Sequence, residues 1–195
     1  LALLLGVLAV LGEAPALALQ GSDSEIIAEF KRYFRKYKDT PTRVEAGLAL
    51  EGNEDPEVVG VLTGLFGEVE PEVANAAVRV LSKFQTRPPV DALLAVLATG
   101  ANQDVKLGVL RALTLGKYGA TQAGILPLVA DSSWDVRRRA IQALAGLNDP
   151  SVAPTIAARC TESEVGVRCA ALEGLAALRS ELVLAPARAD LNHDS

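Results

Sequence analysis

Few of the residues that carry protein chemistry are present. The 195-residue chain has one histidine, one tryptophan, two cysteines and no methionine. The histidine, His193, stands in a polar terminal stretch. Such a stretch does not hold an imidazole beside a nucleophile, so no Ser-His-Asp or Cys-His arrangement is expected. Cys160 and Cys169 are too few for a disulfide scaffold, and with no CxxC and no Cys/His cluster a zinc site is not expected either. There is no Gly-rich phosphate loop and no HExxH. Basic residues do not predominate: 19 Lys and Arg face 24 Asp and Glu, a net charge of -5, which speaks against nucleic acid as a partner. Aromatics make up only 4% of the chain although half of it is apolar. Ala, Leu and Val dominate, and such a core suits closely stacked helices better than a β-sandwich. The grouped carboxylates, Glu54 with Asp55, Glu68 with Glu70 and Glu72, and Glu162 with Glu164, fall at expected turns and are read as helix caps rather than catalytic pairs. The expectation is therefore no enzyme, no cofactor and no metal.

What is present begins with an apolar run. Residues 1–11 read LALLLGVLAVL, too short for a membrane span of about 20 residues. Gly12, Glu13, Pro15 and the small-x-small site Ala16-Leu17-Ala18 follow, the order of a secretory signal peptide cut after Ala18. This predicts an exported chain, periplasmic or extracellular, with a leader at 1–18 and no stable membrane span once the leader is removed. An N-terminal anchor or a retained hydrophobic helix is the other reading.

An internal repeat decides the fold. In residues 134–147, WDVRRRAIQALAGL, the frame is Val136, Ala140, Leu144 and Leu147, with Arg137 after the Val. It returns as Val167, Ala171, Leu175 and Leu178, and earlier as Val105, Val109, Leu113 and Gly116, then Val73, Ala77, Leu81 and Phe84, then more weakly Thr42, Ala46 and Leu50. Steps of four and three put these side chains on one helical stripe. Each copy has a second half after a turn: Val59, Leu62 and Phe66 after Asp55-Pro56; Val90, Leu93, Leu94 and Leu97 after Pro88-Pro89; Ile125, Leu126 and Val129 after a break at Gly119; and Val152, Ile156 and Cys160 after Asn148-Asp149-Pro150. The unit is helix A, short turn, helix B. One hairpin cannot bury its own stripe, so neighbours must stack. The predicted class is all-α: an α-solenoid of about five helical hairpins over 39–180, with a polar tail at 181–195.

The entry to helix A carries a family resemblance. Asp135-Val136-Arg137, Asp104-Val105-Lys106 and the looser Glu164-Val165-Gly166-Val167-Arg168 resemble the HEAT repeat family, in particular the short variety of roughly 30 residues also known from phycobilisome lyase subunits. The likeness covers about residues 39–178. It implies an acid near the start of each helix A, followed by a base that pairs with an acid of the adjacent repeat. The second copy departs, with Ala74 where the base belongs, which predicts a more mobile or more curved stretch there. The resemblance also implies a protein or peptide partner on a concave surface lined by the B helices.

Outside the frame, residues 22–38 predict an N-terminal capping helix. Ser22 and Glu25 form a capping box, and Ile26, Phe30, Tyr33, Phe34 and Tyr37 an apolar face. The opposite face, Lys31, Arg32, Arg35, Lys36 and Lys38, could instead meet an anionic surface. Asp190-Leu191-Asn192-His193-Asp194-Ser195 matches the opening of a calcium loop but is read as polar tail. The candidate partner-binding residues are Trp134 and Arg138, since Trp and Arg compose binding hot spots; the alternative is a Trp packed over a helix terminus. The expected function is a non-catalytic, exported binding scaffold. The alternatives are an enzyme subunit resembling the phycobilin lyases, which would bind a tetrapyrrole, and the solenoid segment of a larger exported protein.

Overall fold

A computed structural model describes residues 22–184. The expected leader at 1–18 and the Asp190–Ser195 motif lie outside the described residues. Among the described residues every regular element is helical. Five A helices follow one another: α2 (Thr40–Leu48), α4 (Pro71–Leu81), α6 (Gln103–Gly116), α8 (Trp134–Gly146) and α10 (Val165–Ala177). Between them lie the B segments α3 (Pro56–Thr63), α5 (Arg87–Ala98), α7 (Gln122–Ile125) and α9 (Ala153–Ala157). α1 (Asp23–Lys36) precedes them and packs on α2 and α3. Each A helix packs on the next A helix, and α3, α5 and α7 pack in the same serial order, so the hairpins translate along one axis. The fold is the all-α solenoid that the repeat predicts.

The stripe residues form the core. Thr42, Ala46 and Leu50 are buried, as are Val73, Ala77, Leu81 and Phe84, Val109 and Leu113, Val136, Ala140 and Leu144, and Val167, Ala171 and Leu175. All but Thr42 join the B-segment residues in one apolar cluster that runs from Ile27 to Leu175. Leu147, Leu178 and Val105 are only partly buried, being near helix ends. In α1 the capping box forms, Phe30 is buried, and so is Ile27, which the apolar face read from the sequence leaves out.

The B segments are less regular than the A helices. Part of each of three is 3-10: Gly64–Gly67 after α3, Leu126–Ala130 after α7, and Pro150–Val152 before α9. Pro127 has no N–H for an α-helical bond, and α7 gives way to the tighter 3-10 form at its end, from Leu126. Side-chain acceptors hold the helix starts. Asp39, Asp55, Asn102 and Asp149 accept from the backbone N–H groups of Thr42, Glu57, Val105 and Ser151. Three A helices end beside a left-handed residue at a common position: Lys117 (φ 51°), Asn148 (φ 55°) and Arg179 (φ 53°). The break expected at Gly119 is made instead by Lys117 and Ala120.

Candidate binding face and the charge ladder

The base that follows the frame residue of helix A turns toward the junction leading to the next repeat. Arg43 Nη1 donates to Glu68 (2.7 Å), Lys106 Nζ to Asp131 (2.6 Å) and Arg137 Nη2 to Glu162 (3.2 Å). Each acid stands 25 residues after its base, just past the B segment. The base also holds the loop before its own helix. Arg43, Arg137 and Arg168 donate to the carbonyls of Tyr37, Asp131 and Glu162, each six residues back. One side chain thus joins two consecutive inter-repeat loops to helix A. The same offset from Ala74 falls on Thr99, so this rung is missing on both sides.

These pairs are largely buried: side-chain exposures are 14% and 16% for Arg137 and Glu162, against 62% and 37% for Arg79 and Glu51. Glu162 also accepts from Arg159 Nη1 (3.0 Å). For Asp131, burial works to raise the pKa, but hydrogen bonds from Lys106 and the Ser133 N–H outweigh it and hold the carboxyl below its ordinary value.

Near the empty rung other links join the first three repeats. Glu54 accepts from the backbone of Gln85 and Thr86 and from the Thr86 hydroxyl. Burial works against its charge, yet these bonds keep its pKa lowered. Lys83 pairs with Glu51, and Arg87 donates to the Gly119 carbonyl. The Tyr118 hydroxyl donates to the Leu81 carbonyl and accepts from the Phe84 N–H, both at 2.8 Å. Burial pushes this phenol up to about 12, with the Phe84 N–H opposing and Glu54 adding to the rise.

The structure brings Trp134 and Arg138 together. The Arg138 guanidinium carbon lies 5.4 Å from the centre of the indole, and its nitrogens are held by Asp135. Trp134 opens α8 and stays 46% exposed. Its ring lies over Gly166 of α10, where a Cβ would come within 3.5 Å of it. The ring therefore packs across a helix terminus, and about half of it faces solvent. The run Arg137-Arg138-Arg139 diverges: Arg137 enters the ladder, Arg138 covers the indole, and Arg139 points toward α6. On α1 the basic residues Lys31, Arg32, Arg35 and Lys36 are exposed, as is Lys38 just past its end, while Arg43 packs over Phe34 (4.5 Å) and ties the helix to the first repeat.

Cys160 is buried at its stripe position, Cys169 is exposed, and both are thiols. A maleimide should therefore modify Cys169 in the native protein and reach Cys160 only in denaturant. Mass spectrometry without reductant tests this: no label at either residue in denaturant would indicate a bridge instead.

Among the described residues no group of three or more His, Cys, Asp or Glu could hold a metal ion, and no helix is long and apolar enough to cross a membrane. No curated protein matches the chain. The family described as HEAT repeats matches residues 29–114 and 123–195, beginning inside α1 and so reaching beyond the frame read from the sequence. With serial hairpins, a recurring stripe and a matched family covering most of its length, the chain belongs to the HEAT repeat family.

Proposed function

We propose that this HEAT-repeat scaffold is exported and non-catalytic, and that it binds a protein or peptide partner along its helical rows. The observation that carries this reading is where its charged groups are engaged. The grouped carboxylates hold backbone or rungs: Glu54 and Asp55 bind N–H groups, Glu68 and Glu70 meet Arg43, and Glu162 meets Arg137 and Arg159. General acid–base catalysis needs such groups free to exchange protons at a reacting atom. Serial stacking, in contrast, gives an extended surface suited to a long partner. The leader-like residues 1–18 support export.

The test uses the folded chain from Leu19 onward as bait in an envelope extract. One specific partner should be recovered, and a solenoid unfolded by a core substitution should lose it. Repeated failure to recover any partner would count against the scaffold. In parallel, titration with a bilin should leave the bilin absorbance unchanged; a saturable spectral shift would favour a tetrapyrrole-binding role instead.

A further inference from the structure

Charge of one sign gathers on the outer side of α1. Residues 31–38 hold five bases and no acid, and all five bases are exposed: Lys31, Arg32, Arg35, Lys36 and Lys38. Residues 39–184 hold 13 bases against 18 acids. In the repeats the bases Arg43, Lys106 and Arg137 are taken up by the ladder. On α1 only Arg32 is paired, with Glu29 at 3.3 Å, and its side chain is 80% exposed, so water screens the pair. Lys31, Arg35, Lys36 and Lys38 stand in no ion pair among the described residues. Asp39, next in the chain, is used as the cap of α2, where it accepts from the Thr42 N–H.

Helical geometry sets these charges side by side. Lys31, Arg35, Arg32 and Lys36 fall within an arc of about 140°. On the other side of the helix Ile27 and Phe30 are buried, and Tyr33 and Phe34 pack against the same core. α1 is thus a cap on its inner side and a basic surface on its outer one. Glu25 and Glu29 lie toward its start, so the basic surface is that of its C-terminal half.

What this surface lacks narrows its counterpart. It exposes no large apolar side chain, so it offers neither an anchor for a protein hot spot nor one for insertion among acyl chains. Its aromatics face inward, so nucleobases find no stacking platform. It is the side of a single helix rather than a groove, so it does not hold an extended peptide. A layer of anionic headgroups needs none of these features. Each lipid moves to a base, and long Lys and Arg side chains reach a phosphate without a fixed geometry.

We propose that the outer face of α1 docks this protein on an anionic membrane surface, with Lys31, Arg32, Arg35, Lys36 and Lys38 on headgroup phosphates and no segment inserted. The solenoid then projects from the surface. Most of its excess acid lies beyond the screening distance of about 8 Å and does not cancel the attraction. The proposal goes beyond the scaffold reading and does not depend on it, since a partner along the helical rows uses a different surface.

The probe is a vesicle of phosphatidylcholine with roughly a third phosphatidylglycerol, sedimented with the folded chain from Leu19 onward at low salt. Binding is expected there and not on phosphatidylcholine alone, and it should fall steeply with added salt. Each base near the surface contributes about fivefold, so Lys31→Gln/Arg35→Gln/Lys36→Gln should weaken binding roughly a hundredfold. Arg111→Gln/Lys117→Gln removes two exposed bases of the repeats and should bind as the parent. Circular dichroism checks that the triple variant keeps its helix. If it does not, Lys36→Gln/Lys38→Gln at the end of α1 replaces it, with a loss of about thirtyfold expected. No binding to the anionic vesicles, equal binding to neutral ones, or undiminished binding of the α1 variants overturns the proposal. So does tighter binding of single-stranded RNA or polyglutamate than of the vesicles through the same bases, which would make the counterpart another polyanion. Failure to recover a protein partner leaves this proposal standing, and failure to bind vesicles leaves the scaffold standing.

Discussion

Leu144→Asp is expected to unfold the solenoid. Leu144 is fully buried on α8, which packs against α6 on one side and α10 on the other. The substitution removes a filled volume and puts a carboxylate among aliphatic side chains with no donor. An unpaired buried charge costs several kcal/mol, so the loss should exceed about 4 kcal/mol, most of the stability of an ordinary domain. Repeats in a stack are held by their neighbours, so a failed fourth hairpin leaves both adjoining interfaces uncovered. Far-UV circular dichroism should show most of the helical signal gone. Leu144→Ala, which leaves only a cavity, should cost about 3 kcal/mol and keep the fold. The sign of the pH effect separates charge from cavity. Burial raises the pKa of the introduced carboxyl, so lowering pH neutralises it and should recover part of the Leu144→Asp signal while doing nothing for Leu144→Ala. A native spectrum for Leu144→Asp at neutral pH would mean that the stripe is not the core.

That stripe was the most legible feature of the chain, because steps of four and three in Val136, Ala140 and Leu144 translate directly into one buried side of a helix. The same holds for Val152, Ile156 and Cys160 on the B side, where all three are buried. The loops were less legible. Asn148 is a residue type that favours a left-handed conformation, but Lys117 and Arg179 adopt the same one at the equivalent position, imposed by the turn between two packed helices rather than by their own preference. Gly119, the natural suspect, does not. The 3-10 stretch at Leu126–Ala130 could have been expected from Pro127; Gly64–Gly67 has no such mark.

The candidate face was half legible. Trp134 and Arg138 were identifiable from their spacing, since residues four apart on a helix meet. Where Arg139 goes was not, because its surroundings come from α6, and Arg111 stands 28 residues earlier in the chain. The ladder lies between these cases. The family resemblance implied that a base of helix A pairs with an acid nearby, but the offset of 25 residues is a product of hairpin length and loop path. It becomes visible only when Arg43, Lys106 and Arg137 are seen with their partners.

This offset gives the ladder a measurable weight. Glu162 is the acid of two bases, Arg137 and Arg159, at the junction between the fourth and fifth hairpins. Glu162→Ala removes their shared carboxylate and leaves two guanidinium groups facing one another in a site where Arg137 is only 14% exposed. Breaking a buried pair by deleting one member costs about 3–5 kcal/mol, and the lower end is expected here because Arg137 keeps the carbonyls of Asp131 and Ser132. Glu51→Ala deletes an acid that also serves two bases, Arg79 and Lys83, but both are exposed, so the loss should stay below about 1 kcal/mol. Urea midpoints compare the two directly. The location of the damage is a second measure. If the rung holds the fifth hairpin to the fourth, hydrogen exchange in Glu162→Ala should speed up first in α10 while α4 and α6 remain protected, as expected for an array whose interfaces fail one at a time. Equal losses for the two variants, or uniform exchange along all A helices, would show that the buried rungs contribute no more than the surface pairs and that the apolar stripe alone joins the repeats.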